Sequence, residues 1–169
     1  MKKVMIIGSG GSGKSTLAKT LGECLNIPVY HLDALFWKPN WEAVSKEQQI
    51  NIQKRLVQQD EWLIDGNYGG TVDIRLEAAD TVIFLDLPRL LCIRNIFKRV
   101  WMYRGKTRPD MGEDCLEKLD FAFLKWVWDF PKNKRPELLQ KLSAYETVKN
   151  VIILKSPTEI RKFLDQISL

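Results

Sequence analysis

Short apolar runs alternate along the chain with stretches whose apolar positions return every three or four residues. Val4-Met5-Ile6-Ile7 is the first such run and ends at Gly8. Leu17, Ala18, Leu21 and Leu25 then recur at helical spacing, which predicts a helix over 14–25. Asn26-Ile27-Pro28 stops it. Val29 to Asp33 reads as a second strand ending in a carboxylate, and 34–41 as a loop carrying Trp and Pro. Ser45 and Gln48 form a capping-box pattern at the head of a polar helix reaching about Gln59. Its apolar face, Ile52, Leu56 and Val57, is thin, which predicts a place on the surface. Trp62 to Gly66 is a third strand, 72–79 a short helix and Thr81 to Asp86 a fourth strand. Pro88 suits the first turn of a long helix running to about Tyr103. Residues 104–112 are rich in Gly, Pro and charge, with few apolar groups to pin them, which predicts a mobile loop. Asp114 with Glu117 predicts a cap for the next helix, striped by Leu116, Leu119, Phe123, Leu124 and Val127 and stopping before Pro131. A helix over 136–145, a strand over 151–154 and a closing helix over 157–167 complete the pattern. Nearly continuous apolar strands alternating with helices point to an α/β fold with a parallel sheet covered on both faces.

One junction carries chemistry. Between the first strand and the first helix lies Gly8-Ser9-Gly10-Gly11-Ser12-Gly13-Lys14-Ser15-Thr16, the pattern G-x-x-x-x-G-K-[ST] in its strand–loop–helix setting. Such a loop turns its backbone N–H groups inward to make an anion-binding concavity. The helix that follows points its free N–H groups and positive dipole end at the same anion. Lys14 adds a cation that reaches the β- and γ-phosphates of a nucleotide, and the Ser15 hydroxyl is placed to ligate Mg²⁺. A dinucleotide loop is excluded, because Lys14-Ser15 follows the last glycine.

In an open parallel sheet, ligands sit beyond the carboxyl ends of the strands. Gly8, Asp33, Asp65 and Asp86 all fall at such ends. Mg²⁺ takes one or two carboxylates beside phosphate oxygens and waters, and Asp65 and Asp33 are the candidates for that task. Asp86 is followed directly by Leu87-Pro88, so helix capping is preferred to a metal role. A basic cluster follows: Arg94, Lys98, Arg99, Arg104, Lys106 and Arg108. It reads as a lid over about 94–115 that brings arginines onto a triphosphate, against the plainer reading of a solvated helix face. His31, the only histidine, reads as a packed or hydrogen-bonded residue. Trp37 and Trp41 lie in the loop after Asp33, where an acceptor has room.

Composition changes this picture little. The 169 residues suit one domain, 1–169, with an acceptor-side insertion over about 34–61. A net charge of +5 fits phosphate ligands and leaves nucleic acid open. Cys24, Cys92 and Cys115 are odd in number and widely spaced, so they read as reduced thiols and not as a disulfide framework or metal site. No stretch approaches a membrane span, and the five-residue apolar run after Met1-Lys2-Lys3 is too short for a signal peptide. A cytoplasmic protein, monomer or dimer, is the expectation.

The order of elements resembles the P-loop kinases of the adenylate kinase and shikimate kinase type. Gly8 to Ser15 matches their phosphate loop. Leu63-Ile64-Asp65-Gly66 looks like the adenylate kinase stretch whose aspartate orients Mg²⁺-bound water, and Arg94 with Lys98 or Arg99 resembles the arginines that open its lid. More narrowly, His31 to Trp37, Trp62 to Tyr68 and Leu119 to Trp128 resemble the bacterial topology modulation proteins, an adenylate-kinase-like family. The resemblance implies a three-layer P-loop fold with sheet order 2-3-1-4-5 and an ATP- and Mg²⁺-dependent phosphotransferase. Residues 8–16 would hold the nucleotide with Arg104 and Arg108. Lys14, Arg94 and Arg99 would stabilise charge on the γ-phosphoryl group, Asp33 would serve the acceptor, and Asp65 would hold Mg²⁺ through water. After Asp65-Gly66, Asn67-Tyr68 replaces the aromatic, Pro and Arg of adenylate kinase, so the acceptor stays open between a nucleotide and another small metabolite. The rival expectation is a nucleotide-dependent, DNA-associated protein, which the narrower family's name implies.

Overall fold

The computed structural model describes residues 1–167. The first apolar run is strand β1 (Lys3–Gly8), and helix α1 (Lys14–Leu25) follows the glycine-rich loop. Strand β2 (Val29–His31) is shorter than the sequence predicts, because Leu32 opens a short helix, α2 (Leu32–Phe36). Asp33 therefore sits in the first turn of α2 and not at a strand end. The predicted loop after it holds a two-stranded hairpin, β3 (Trp37–Lys38) with β4 (Glu42–Ala43), joined by a 3₁₀ turn. Helix α3 (Lys46–Leu56) carries the predicted capping box: Ser45 Oγ accepts from Gln48 N, and the Gln48 side chain accepts from Ser45 N. Strand β5 (Trp62–Asp65), helix α4 (Val72–Ala78), strand β6 (Thr81–Leu85) and helix α5 (Arg89–Met102) then follow close to their predicted places.

Two departures lie beyond α5. Residues 114–120 do not begin a helix. Asp114 has a left-handed φ of 53°, and Glu117 N donates to the Lys106 carbonyl, so the segment is drawn back along the preceding loop. Asp120 does the capping expected of Asp114, accepting from the N–H groups of Ala122 and Phe123. Helix α6 (Phe121–Asn133) also runs through Pro131, which costs a single backbone hydrogen bond near its last turn. Helix α7 (Arg135–Ser143), strand β7 (Asn150–Leu154) and helix α8 (Pro157–Ile167) close the described chain.

The main sheet has the order β2-β5-β1-β6-β7 with every pairing parallel. Counting only its own strands, this is the expected 2-3-1-4-5. Alternate residues of β1 supply the two halves of the core. Met5 and Ile7 face Ile64, Val82, Phe84 and Phe130, while Val4 and Ile6 face Leu17, Leu21, Leu63, Ile83 and Leu85. Both faces are thus covered by helices, which is why these strands are apolar throughout. Among the described residues no helix is long and apolar enough to cross a membrane.

Candidate active site

The glycine-rich loop crosses the carboxyl end of β1, and α5 and α6 close over it. Gly11 shows why a glycine is required. Its φ is 73°, and a β-carbon there would run into the Cys92 carbonyl of α5. Asn95 Nδ2 donates to the Gly11 carbonyl at 2.9 Å, and Phe123 and Val127 pack against Gly10. Lys14 Nζ spans the loop, donating to the carbonyls of Gly8 at 3.0 Å and Ser9 at 2.8 Å. Burial pulls its pKa down, Asp33 and Asp65 oppose that, and Arg99 adds to it. These four charges therefore share one neighbourhood.

Asp65 ends β5 as predicted, buried beside α1. Its Oδ2 accepts from Ser15 Oγ at 2.8 Å, and its Oδ1 lies 2.6 Å from His31 Nδ1. That hydrogen bond raises the His31 pKa above 6.5 against the opposing effect of burial. The histidine reads as it did in the sequence, as a hydrogen-bonded partner.

Two residues that sequence reasoning left without a role fix the turn after Asp65. Asn67 pairs with both backbone groups of Gly8: Oδ1 accepts from its N–H at 3.0 Å, and Nδ2 donates to its carbonyl at 2.6 Å. Arg75, on α4, is fully buried and donates to the carbonyls of Gly66 and Asn67. Burial pushes its pKa down to about 10. The only sequence signal for Asn67 was its place directly after Asp65-Gly66. For Arg75 there was none, since an arginine in a short amphipathic helix is ordinarily solvated.

Asp33 reaches the site from α2. Its Oδ1 accepts from the Tyr68 hydroxyl at 2.6 Å, and Trp37 Nε1 donates to that hydroxyl at 3.1 Å. Burial, and then the Asp33 charge, raise the Tyr68 pKa. The phenol is thereby kept as a proton donor to the carboxylate.

The arginines divide. Arg99 faces the loop, while Arg94 lies on the opposite side of α5, exposed in line with Leu90, Phe97 and Trp101. Arg104 is exposed, and its backbone bridges to Glu117. The structure does not bring either side chain to the phosphate loop. Arg108 is nearly buried, 3.1 Å from Asp110 and 2.7 Å from Glu117. Glu117 also takes Arg99, at 3.0 Å. Nor is the 104–112 loop unpinned as predicted: Met111 is buried in it, and the segment holding buried Cys115 and Glu117 pairs back along it. It docks on the β3–β4 hairpin. Gly112 packs on the Trp37 carbonyl so closely that a β-carbon would collide with it. Cys115 Sγ donates to the Lys38 carbonyl and Trp41 Nε1 to the Leu116 carbonyl. Asp86 does not cap α5. Arg135 holds it through two hydrogen bonds, at 2.7 and 2.9 Å.

The oxygen donors fit Mg²⁺. A hydroxyl and one carboxylate at the foot of a phosphate loop match a hard cation that keeps phosphate and water ligands. Among the described residues no group of three or more His, Cys, Asp and Glu is disposed to hold a metal by itself.

No protein-family model matches the chain, and no curated protein matches it in sequence. Solved structures do match its fold. Shikimate kinase from Acinetobacter baumannii, in complex with shikimate, superposes with a TM-score of 0.63 at 17% identity, over 99% of this chain and 90% of that one. A gluconokinase from Sinorhizobium meliloti 1021 gives 0.56 at 14% identity, over 98% and 89%. Shikimate kinase from Bacteroides thetaiotaomicron gives 0.55 at 15% identity, over 97% and 94%. At such identities the likeness establishes a P-loop kinase fold.

Proposed function

We propose that this chain is an ATP-dependent phosphotransferase acting on a hydroxyl group of a small acceptor. The observation that carries the reading is the meeting of Lys14, the Ser15–Asp65 pair, Asp33 and Arg99 at one edge of the sheet. Residues 8–16 take the triphosphate on their backbone N–H groups. Lys14 leaves the carbonyls of Gly8 and Ser9 for phosphate oxygens. Mg²⁺ would be held by Ser15 directly and by Asp65 through water, and would supply neutralisation of the phosphate charge.

Asp33 faces the acceptor. Tyr68 occupies its Oδ1, which leaves Oδ2 to take a proton. The acceptor oxygen forms a bond to the γ-phosphorus, and the bond from that phosphorus to the β–γ bridging oxygen breaks. ADP leaves with the electron pair, and the hydroxyl proton passes to Asp33. Arg99 stabilises charge on the group in transit, as such transfers require. The kinases of similar fold are named for shikimate, gluconate and, in a deoxyadenosine kinase with a TM-score of 0.50, a nucleoside. Each of those acceptors carries an alcohol hydroxyl. The narrower likeness to topology modulation proteins belongs to this proposal too, since its segments include His31, Asp33, Asp65, Asn67 and Tyr68.

The test is Mg·ATP binding by calorimetry, then turnover against a panel of nucleosides, nucleotides, sugar acids and cyclic polyols. Wild type should bind ATP and Lys14→Ala should not, while both fold. Equal affinities in the two proteins would refute the reading.

A further inference from the structure

Glu117 is a buried acid with a cation at each oxygen. Its Oε1 accepts from Arg99 Nε at 3.0 Å, and its Oε2 lies 2.7 Å from Arg108 Nε, charge to charge and off the N–H line. Only 3% of its side chain is exposed. The two guanidiniums repel: after burial, Arg108 is the next largest influence lowering the Arg99 pKa. A carboxylate between them offsets that repulsion and the cost of taking both out of water.

The edge by which each arginine is held matters more. Both meet Glu117 through the inner Nε. Among the described residues the terminal amino groups of Arg99 donate no hydrogen bond, and its guanidinium carbon lies 5.8 Å over the ring of Phe123, which packs on Gly10 of the phosphate loop. Arg108 spends its amino groups on Asp110 and the Met111 sulfur. A carboxylate that blocked the arginines would cover the outer fork. This one grips the stem side and leaves the Arg99 fork open toward the phosphate loop.

We propose that Glu117 is a positioning residue that holds Arg99, with Arg108 braced behind it, so that the Arg99 fork meets the charge on the transferring phosphoryl group. The proposal rests on the phosphotransferase reading. Glu117 touches neither nucleotide nor acceptor; it acts by holding Arg99 where charge develops. Preorganised cations of this kind favour the transition state over the ground state.

The experiment compares two probes by calorimetry: Mg·AMP-PNP for the ground state, and Mg·ADP with aluminium fluoride for the planar group in transit. Glu117→Gln keeps the size and removes the charge. Wild type should prefer the aluminium fluoride complex by at least about a hundredfold. The variant should hold AMP-PNP within about twofold of wild type and lose about ten- to a hundredfold on the other complex. Tighter binding of both probes would show an acid that withholds the arginines, and overturns the proposal, as does an unchanged preference. Equal losses on both probes in a folded variant would mean a structural role only, and overturn it as well. Circular dichroism and melting verify folding. Should Glu117→Gln not fold, Glu117→Asp keeps the charge but shortens the reach to two arginines. It should lose the preference while retaining AMP-PNP, and a full preference in that variant overturns the proposal. Failure of wild type to bind AMP-PNP would instead refute the phosphotransferase reading itself.

Discussion

Replacing Asn67 by alanine tests the site where the sequence is least informative. Asn67 accepts from Gly8 N–H at 3.0 Å and donates to Gly8 C=O at 2.6 Å. Gly8 is buried, and its carbonyl keeps a second donor in Lys14 Nζ at 3.0 Å. The two losses are therefore unequal. The N–H is left without its side-chain partner away from water, which costs about 1–3 kcal/mol, while the carbonyl loses a net bond of about 0.5–1.5 kcal/mol. Together they amount to about 1.5–4.5 kcal/mol. For a domain of this size each kcal/mol moves Tm by about 2–4 °C, so a fall of about 3–18 °C is expected. The same loss frees the first glycine of the phosphate loop, so Mg·ATP affinity should fall along with it. Thermal melts with and without Mg·ATP measure both. A Tm within about 1 °C of wild type and an unchanged ATP affinity would show that the Asn67–Gly8 pairing does not hold the loop.

Other perturbations separate the remaining roles. Arg99→Ala should lower turnover more than about a hundredfold with little change in ATP affinity, whereas Arg94→Ala, on the far face of α5, should change neither; steady-state kinetics of the pair measures this, and equal effects would refute the assignment. Asp65→Asn should raise the Mg²⁺ concentration needed for ATP binding while Asp33→Asn leaves it alone and abolishes turnover, and coincident Mg²⁺ titrations would void that division. The His31–Asp65 pair raises the folded pKa of His31 above 6.5, so its stabilisation is complete below about pH 6.5 and is lost as pH rises through the folded value. Melting curves from about pH 5 to 9 should show this fall in wild type and a flatter profile in His31→Gln; parallel profiles would contradict it.

The phosphate loop was legible because its signal is contiguous: strand, glycines, lysine, hydroxyl and helix all lie within Val4 to Leu25. The capping box at Ser45 and Gln48, the apolar strands and the sheet class were legible for the same reason, since periodicity and capping act within one or two turns of chain. Local signals also misled. Asp114 and Glu117 had the spacing of a cap, yet burying Glu117 between two arginines drew that segment back along the 104–112 loop and left the cap to Asp120. Pro131 looked like a stop, yet Phe130 in the core and Lys134 beyond it continue the helix through it.

What tertiary structure alone decided is which distant groups share the edge of the sheet. Asn67 meets Gly8 across 59 positions, Tyr68 meets Asp33 across 35, and Glu117 meets Arg99 across 18. No periodicity encodes these pairs, because they depend on strand order: β5 lies between β1 and β2, so the turn after Asp65 falls beside both the phosphate loop and α2. The face of α5 is decided in the same way. Arg94 and Arg99 are equally basic in the sequence, but the core takes Cys92 and Ile96, and that choice turns Arg99 toward the loop and Arg94 to the opposite side. A side chain's charge is a property of its residue, whereas the field it contributes to a site depends on distance and burial, and only packing sets those.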